Sequence, residues 1–199
     1  MQQENPRRTN RERTGATRAA LMAAARALFI EKSYAETATP EIVAAAGVTR
    51  GALYHHFADK QALFRAVVEQ EAADVAAAID HAAPDTKNPR QALLDGGMAF
   101  LTAMAAPGRT RLLLLDGPAV LGRAVMDEID AKHGARTLRE GLEAAMREGA
   151  MRRFPPAALT ALFSAAFDRA ALSIEAGAPR EDFIETLSAM IDGLSLPQG

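Results

Sequence analysis

The chain has 199 residues and a mass of 21.2 kDa, room for one large domain or for a small one joined to a medium one. With 45 alanines, 5% aromatic residues and scattered Gly and Pro, it is suited to packed helices rather than to sheets of β-branched strands. A net charge of −2 hides a basic N-terminal third, 10 Lys/Arg against 6 Asp/Glu in residues 1–65, and the lack of cysteine excludes disulfides, zinc thiolates, iron–sulfur clusters and thiol nucleophiles.

Residues 1–13 carry Arg7, Arg8, Arg11 and Arg13 with almost nothing to bury, which predicts a disordered basic arm beside the first folded segment. From about Thr14 to Ser33, Leu21, Ala24 and Leu28, with Ala25 and Phe29 offset, recur at three and four and predict one amphipathic helix. Arg18 and Arg26 interrupt this stretch, so it does not read as the apolar region of an export signal.

The next 24 residues carry the most information. Thr39 is an N-cap type and Pro40 suits a first helical turn; Ile42 to Ala46 then run to Gly47, a residue that ends helices in a left-handed turn. Val48 and a second cap, Thr49, restart a helix whose Leu53 and Phe57 lie four apart on one buried face. Two short helices meeting at a tight Gly turn form a helix-turn-helix. The face of the second helix opposite Leu53 and Phe57 presents Arg50, Gly51, Tyr54 and His55, with His56 on the flank.

Those residue types suit a DNA groove. Arg50 offers a fork to guanine O6 and N7, and Gly51, lacking a Cβ, lets the helix approach the base edges. Tyr54 reaches a thymine methyl or a phosphate, and His55, His56 and Lys60 supply donors to phosphates. Thr37 and Thr39 are expected at the N-terminus of the preceding helix, where free N–H groups favour an anion.

The stretch from Thr39 to Leu63, TPEIVAAAGVTRGALYHHFADKQAL, closely resembles the N-terminal domain of TetR-family transcriptional repressors. Ile42, Ala46, Gly47, Val48, Thr49, Leu53, Tyr54, Phe57 and Lys60 match the family pattern; Val43 departs from it where alanine is common. The resemblance covers about 50 residues. It implies an all-α homodimer in which an N-terminal three-helix helix-turn-helix domain binds DNA and a C-terminal helical bundle dimerises and holds a small-molecule effector. The corresponding organisation is a basic arm at 1–13, a DNA-binding domain at 14–65, and an effector-binding and dimerisation domain at 66–199. A dimer reading two half-sites about 34–36 Å apart also doubles the base contacts of a single motif.

Asp59 is expected to cap a long helix anchored by Leu63, Phe64 and Val67 and ended near Pro84. Beyond it, Pro89, Pro107, Gly117-Pro118, Gly149, Pro155-Pro156 and Gly177-Ala178-Pro179 divide the remainder into four or five helices. Met98, Leu101, Met104, Leu112, Leu115, Phe163 and Phe167 are candidate walls of an effector cavity, and Asp116 stands at an expected helix break beside it. Phe100 and Met126 are further large apolar side chains for such a wall. In the last two helices, about Ala157–Ala176 and Arg180–Leu194, the small residues Ala161, Ala165, Ala166 and Ala170 suit a close helix–helix interface.

Enzymatic chemistry finds little support. The histidines are His55, His56, His81 and His133, without a Gly-rich phosphate loop or nucleophile motif. Asp130 and His133 stand three apart but lack further metal ligands, and an exposed helix face explains them more simply. No cofactor, metal or catalytic residue is assigned. The two competing readings are an architectural DNA binder without effector, whose binding would be phosphate-dominated, and a helical enzyme carrying a vestigial motif. No run approaches the roughly 18 apolar residues of a membrane span, and a cytoplasmic location with no membrane partner is expected.

Overall fold

The structure is a computed structural model that describes residues 10–82 and 88–196. Among these residues there are ten α-helices and one π-helical segment, and no strand; Met151 and Ser195 form an isolated bridge. The chain divides into two compact units, Met1–Val68 and Glu69–Gly199.

The first unit contains α1 (Asn10–Lys32), α2 (Thr39–Ala45), α3 (Arg50–His56) and the beginning of α4 (Lys60–Ala82). Helix α1 starts four residues before the expected Thr14, so residues 10–13 are its first turn rather than an unstructured arm; the rest of the arm lies outside the described residues. Its buried stripe is Leu21, Ala25 and Phe29 at strict i, i+4 spacing, each 0% exposed, with Ala24 and Leu28 as half-buried flanks. Phe29, Tyr34 and Phe64 form a triangle of rings with centroids 4.9–5.7 Å apart, packed at tilted or edge-on angles. Burying one such phenylalanine contributes about 2–3 kcal/mol. Helices α2 and α3 each pack on α1 and on each other, with Ile42 and Leu53 fully buried.

The second unit contains the remainder of α4, α5 (Pro89–Met104), the π-helical segment Arg111–Asp116, α6 (Gly117–Leu121), α7 (Arg123–Lys132), α8 (Gly134–Arg147), α9 (Pro156–Glu175) and α10 (Arg180–Asp192). That is six helices after the connector, one more than the punctuation suggests. The expected break at Asp116-Gly117-Pro118 does not occur. The π-helical turn runs directly into α6, with the Gly117 N–H donating to the Leu112 carbonyl, and the wider turn accommodates Pro118. The break falls instead at Gly122, whose φ of +82° is the left-handed conformation that glycine adopts without strain.

Helix α8 packs against α5, α7 and α9, and α10 closes on α5 and α9. Arg90 at the start of α5 pairs with Asp192 at the end of α10, and Arg180 at the start of α10 donates to Thr102 Oγ1 near the end of α5 at 2.8 Å. The buried pair Arg109–Glu71, 2.8 Å apart, ties the α5–α6 connection to α4. Helix α9 is long and apolar enough to cross a membrane by length and composition alone, against the expectation that no segment would be. It packs in the bundle through Leu159, Phe163, Phe167, Ala170 and Ala171.

Candidate nucleic-acid interface and effector cavity

Each short helix of the first unit is set by local chemistry. Thr49 caps α3, its Oγ1 accepting the Ala52 N–H at 3.2 Å, and Gly47 makes the turn with φ +65°. Thr39 is not the cap of α2 but its first helical residue. The cap position is Ala38, and Glu41 does the capping from inside the helix by accepting the Ala38 N–H at 3.0 Å. Glu41 also accepts from Lys32 at 2.5 Å, and these two bonds, Lys32 first, hold its carboxyl below the usual range. Asp59 caps α4 through the Ala62 N–H at 2.7 Å.

Helix α3 presents Arg50, Gly51, Tyr54 and His55 on an exposed face, and Tyr54 is 43% exposed despite its size. The Arg50 guanidinium lies 5.5 Å from the Tyr54 ring centroid, so the two side chains stand side by side on that face. A Cβ at Gly51 would meet only Thr49 Oγ1, at 3.8 Å; nothing within the chain requires a glycine there. His56 is half-buried, and burial first, then the charges of His55 and Arg18, pulls it below the ordinary histidine range. Thr39 is half-buried and Thr49 exposed.

Two residues expected to meet phosphates are otherwise engaged. Thr37 is 1% exposed; its hydroxyl donates to the Ser33 carbonyl at 2.7 Å, with the Leu28 carbonyl at 3.3 Å, and it therefore stitches the α1–α2 turn instead of facing an anion. Lys60 Nζ donates to the carbonyls of Tyr34 and Thr37, both at 2.9 Å, and lies 4.2 Å from the Tyr34 ring centroid. Two of its three donors thus serve the fold.

In the second unit two adjoining chambers of about 250 and about 590 Å³ share Phe100, Asp130, Gly134, Ser164 and Asp168. Phe167 lines the smaller chamber and Met104 the larger. Leu101, Leu112 and Phe163 are core side chains that line neither chamber; Met98 and Leu115 are exposed, 38% and 52%. Asp116 also lies outside both and sits 3.2 Å from Arg111. Phe100 lines both chambers and Met126 the larger one.

The polar residues of the cavity escaped the sequence reading. Asp130 is not on an exposed helix face. It lines both chambers, accepting the Ala135 N–H at 3.1 Å and the Ser164 hydroxyl at 3.3 Å, and burial pushes its carboxyl above the usual range. Asp168 is pushed up to about 7, by burial and then by the charge of Asp130. Thr160, Ser164 and Asp168 form a polar stripe at i, i+4, i+8 on a largely apolar helix, a spacing visible in the sequence. Glycines make room for the smaller chamber's walls: a Cβ at Gly97 would lie 2.7 Å from the Phe167 ring. No group of three or more potential metal ligands occurs among the described residues.

A helix-turn-helix on a small helical unit, followed by a larger helical unit with its own cavity, defines the chain as a DNA-binding transcriptional regulator. Residues 21–67 match the sequence family of bacterial regulatory proteins, tetR family, and residues 90–194 match the tetracyclin repressor-like C-terminal domain; the chain belongs to the TetR family. It is similar to a TetR-family transcriptional regulator from Pectobacterium atrosepticum, 31% identical, over 96% of this chain and 100% of that one, with a TM-score of 0.74. It is 36% identical over 128 residues to the A-factor receptor protein of Streptomyces griseus, covering 60% of this chain and 42% of that protein. It is 38% identical over 113 residues to the transcriptional repressor BepR of Brucella suis, covering 54% and 51%. The chain thus spans about half the length of the curated relatives it matches. These families are regulators and not enzymes.

Proposed function

We propose that this chain is a ligand-released repressor that occupies a palindromic operator as a homodimer in the cytoplasm. The observation that carries the reading is the exposed Arg50–Gly51–Tyr54–His55 face on a helix whose other side, Leu53, is fully buried. Arg50 reads a guanine, Gly51 allows the approach, and Thr39, Thr49, Tyr54, His55 and His56 meet the backbone. Lys60 supports the site mainly by fixing the turn before α2. The similarity to a receptor and to a repressor supports coupling between a ligand and DNA.

The dimer forms through α9 and α10. Ala161, Ala165 and Leu162 on α9 and Met190 on α10 are exposed, and Leu162 is 71% exposed. Ala170 is 1% exposed within its own chain and leaves this list; Ala166 is half-buried. Effector binding favours a state in which α4 shifts and takes the two reading helices out of register with successive grooves. A coupling of about 1–3 kcal/mol lowers operator affinity roughly 5- to 150-fold.

The test is selection of bound duplexes from a random pool by the purified protein at stated salt. An enriched palindrome with half-sites about one helical turn apart is expected. Recovery of unrelated sequences with a steep salt dependence would favour the architectural reading and overturn this one.

A further inference from the structure

The smaller chamber is walled by Ile79, Leu93, Phe100 and Phe167 and carries four carboxylates, Asp80, Asp130, Glu140 and Asp168, with no Lys or Arg in its lining. Two of the four are neutralised at the rim. Arg136 donates to Asp80 and to Glu140, both at 2.9 Å, clipping α4 to α8. The other two stand at the partition with the larger chamber. Asp130 has two hydrogen-bond donors, whereas Asp168 has none among the described residues. Thr160, one turn of α9 before Ser164, lines the larger chamber. It is 6% exposed, and its buried hydroxyl oxygen has no partner among the described residues. An apolar cavity with an under-satisfied polar floor is what a protein retains when a ligand completes the bonding.

We propose that this cavity binds a monocationic amine with a compact aromatic body, its ammonium against Asp168 and Asp130 and its ring alongside the Phe100–Phe167 pair, whose own ring centroids are 5.7 Å apart. The identification rests on the effector-released reading above and names the chemical class of that effector. An anion would be repelled by Asp130 and by ionised Asp168, and a neutral molecule would add no counter-charge to that of Arg123. A cation supplies that charge and meets aromatic faces that attract it. The size also fits. A cavity of about 150 Å³ holds a benzene ring, and this one, about 250 Å³, adds room for a short alkylammonium arm.

A proton accompanies the exchange. Charged groups around Asp168 are Asp127, Asp130, Arg123 and His133 on or beside α7, Arg136, Arg139 and Glu140 on α8, Arg169 on α9 and Asp80 on α4, while α5 contributes only apolar residues and glycine. The Arg123 cation draws Asp168 toward ionisation, and it is outweighed by burial and by Asp130. The free site therefore holds a proton near neutrality, and the cation replaces it. An ammonium that stays charged, as lysine's does, then binds more tightly as pH rises, about ten-fold between pH 6 and pH 8.

The experiment is calorimetric titration of the full chain, without DNA, with phenethylammonium, 2-phenylethanol and phenylacetate at pH 6, 7 and 8. At pH 8 the ammonium should bind at least about ten-fold tighter than the alcohol, and phenylacetate should bind most weakly. Asp168→Asn should bring the ammonium to the alcohol's affinity and flatten its pH profile. Equal or tighter binding of the alcohol or the acid overturns the proposal, as does a pH-independent affinity of the unmodified protein for the ammonium. Absence of binding by all three also overturns it. Operator affinity, read separately by fluorescence anisotropy, distinguishes the two levels: amine binding without DNA release sinks the effector-released reading alone, and operator binding without amine binding sinks only the ligand class.

Discussion

Lys60 holds Tyr34 twice, donating to its carbonyl oxygen at 2.9 Å and lying 4.2 Å from its ring centroid. The same ammonium reaches the Thr37 carbonyl, so one charge fixes both ends of the turn that delivers the chain into α2. Lys60→Ala should cost about 2 kcal/mol, because hydrogen bonds from a charged donor are worth more than neutral ones. Urea unfolding followed by circular dichroism checks this. A residue acting solely at a phosphate would weaken DNA binding and leave the unfolding midpoint where it was.

On α3, Arg50→Ala should cost about 1–3 kcal/mol of operator binding and relax preference at one base position. Tyr54→Ala should weaken binding to all sequences by a similar factor, since its exposed side chain reaches a phosphate, which every sequence carries. Competition binding with the selected operator and single-base variants separates the two. Equal losses for Arg50→Ala on operator and random duplex would remove it from base reading.

Gly47 and Gly51, four residues apart, should respond oppositely. At Gly47, φ is +65°, and Gly47→Ala should destabilise the first unit by about 1–2 kcal/mol through the left-handed backbone alone. At Gly51 there is free space and a helical conformation, so Gly51→Ala should hold or raise stability, by up to about 1 kcal/mol. DNA affinity should nevertheless fall, because the added methyl occupies the approach to the groove. Thermal melting and anisotropy on the same two variants check both halves.

Asp168 ties stability to pH. Its carboxyl in the folded chain, at about 7, lies above its unfolded value, so the native state holds this proton more tightly than the unfolded chain does. The contribution is most favourable below about pH 4, is lost as pH rises through 7, and is constant above. Asp168→Asn removes the burden of a buried charge and should stabilise the protein by about 1–3 kcal/mol at pH 8, with the gain vanishing toward pH 4. Urea titrations at pH 5 and pH 8 give the comparison, and an Asn variant no more stable at pH 8 would contradict the assigned shift.

The helix-turn-helix was legible in the sequence because everything that makes it is local. A left-handed glycine at Gly47, a cap at Thr49 and the Leu53 and Phe57 anchors each lie within four residues of the next, and the free face follows from helical geometry. The all-helical class followed for the same reason, from alanine content and punctuation. What the chain does with Thr37 and Lys60 depended on its folding back. Lys60 finds its acceptors 23 and 26 residues away, and Thr37 is buried against the end of α1. Periodicity marks a face but does not say which neighbour will cover it.

The cavity belonged still more fully to the tertiary structure. Its walls come from α4, α5, α7, α8 and α9, and large apolar side chains such as Leu112 and Phe163 fill core while small ones, Gly96 and Gly97, border the space. Size and hydropathy are properties of a residue, whereas a void is a property of how five helices fail to meet. The sequence by itself determined the helical class, the helix-turn-helix and the residues it exposes; the tertiary structure decided which carboxylates lose their water and which lysine spends two donors on the turn before α2, because desolvation and long-range hydrogen bonds exist only once the elements have packed.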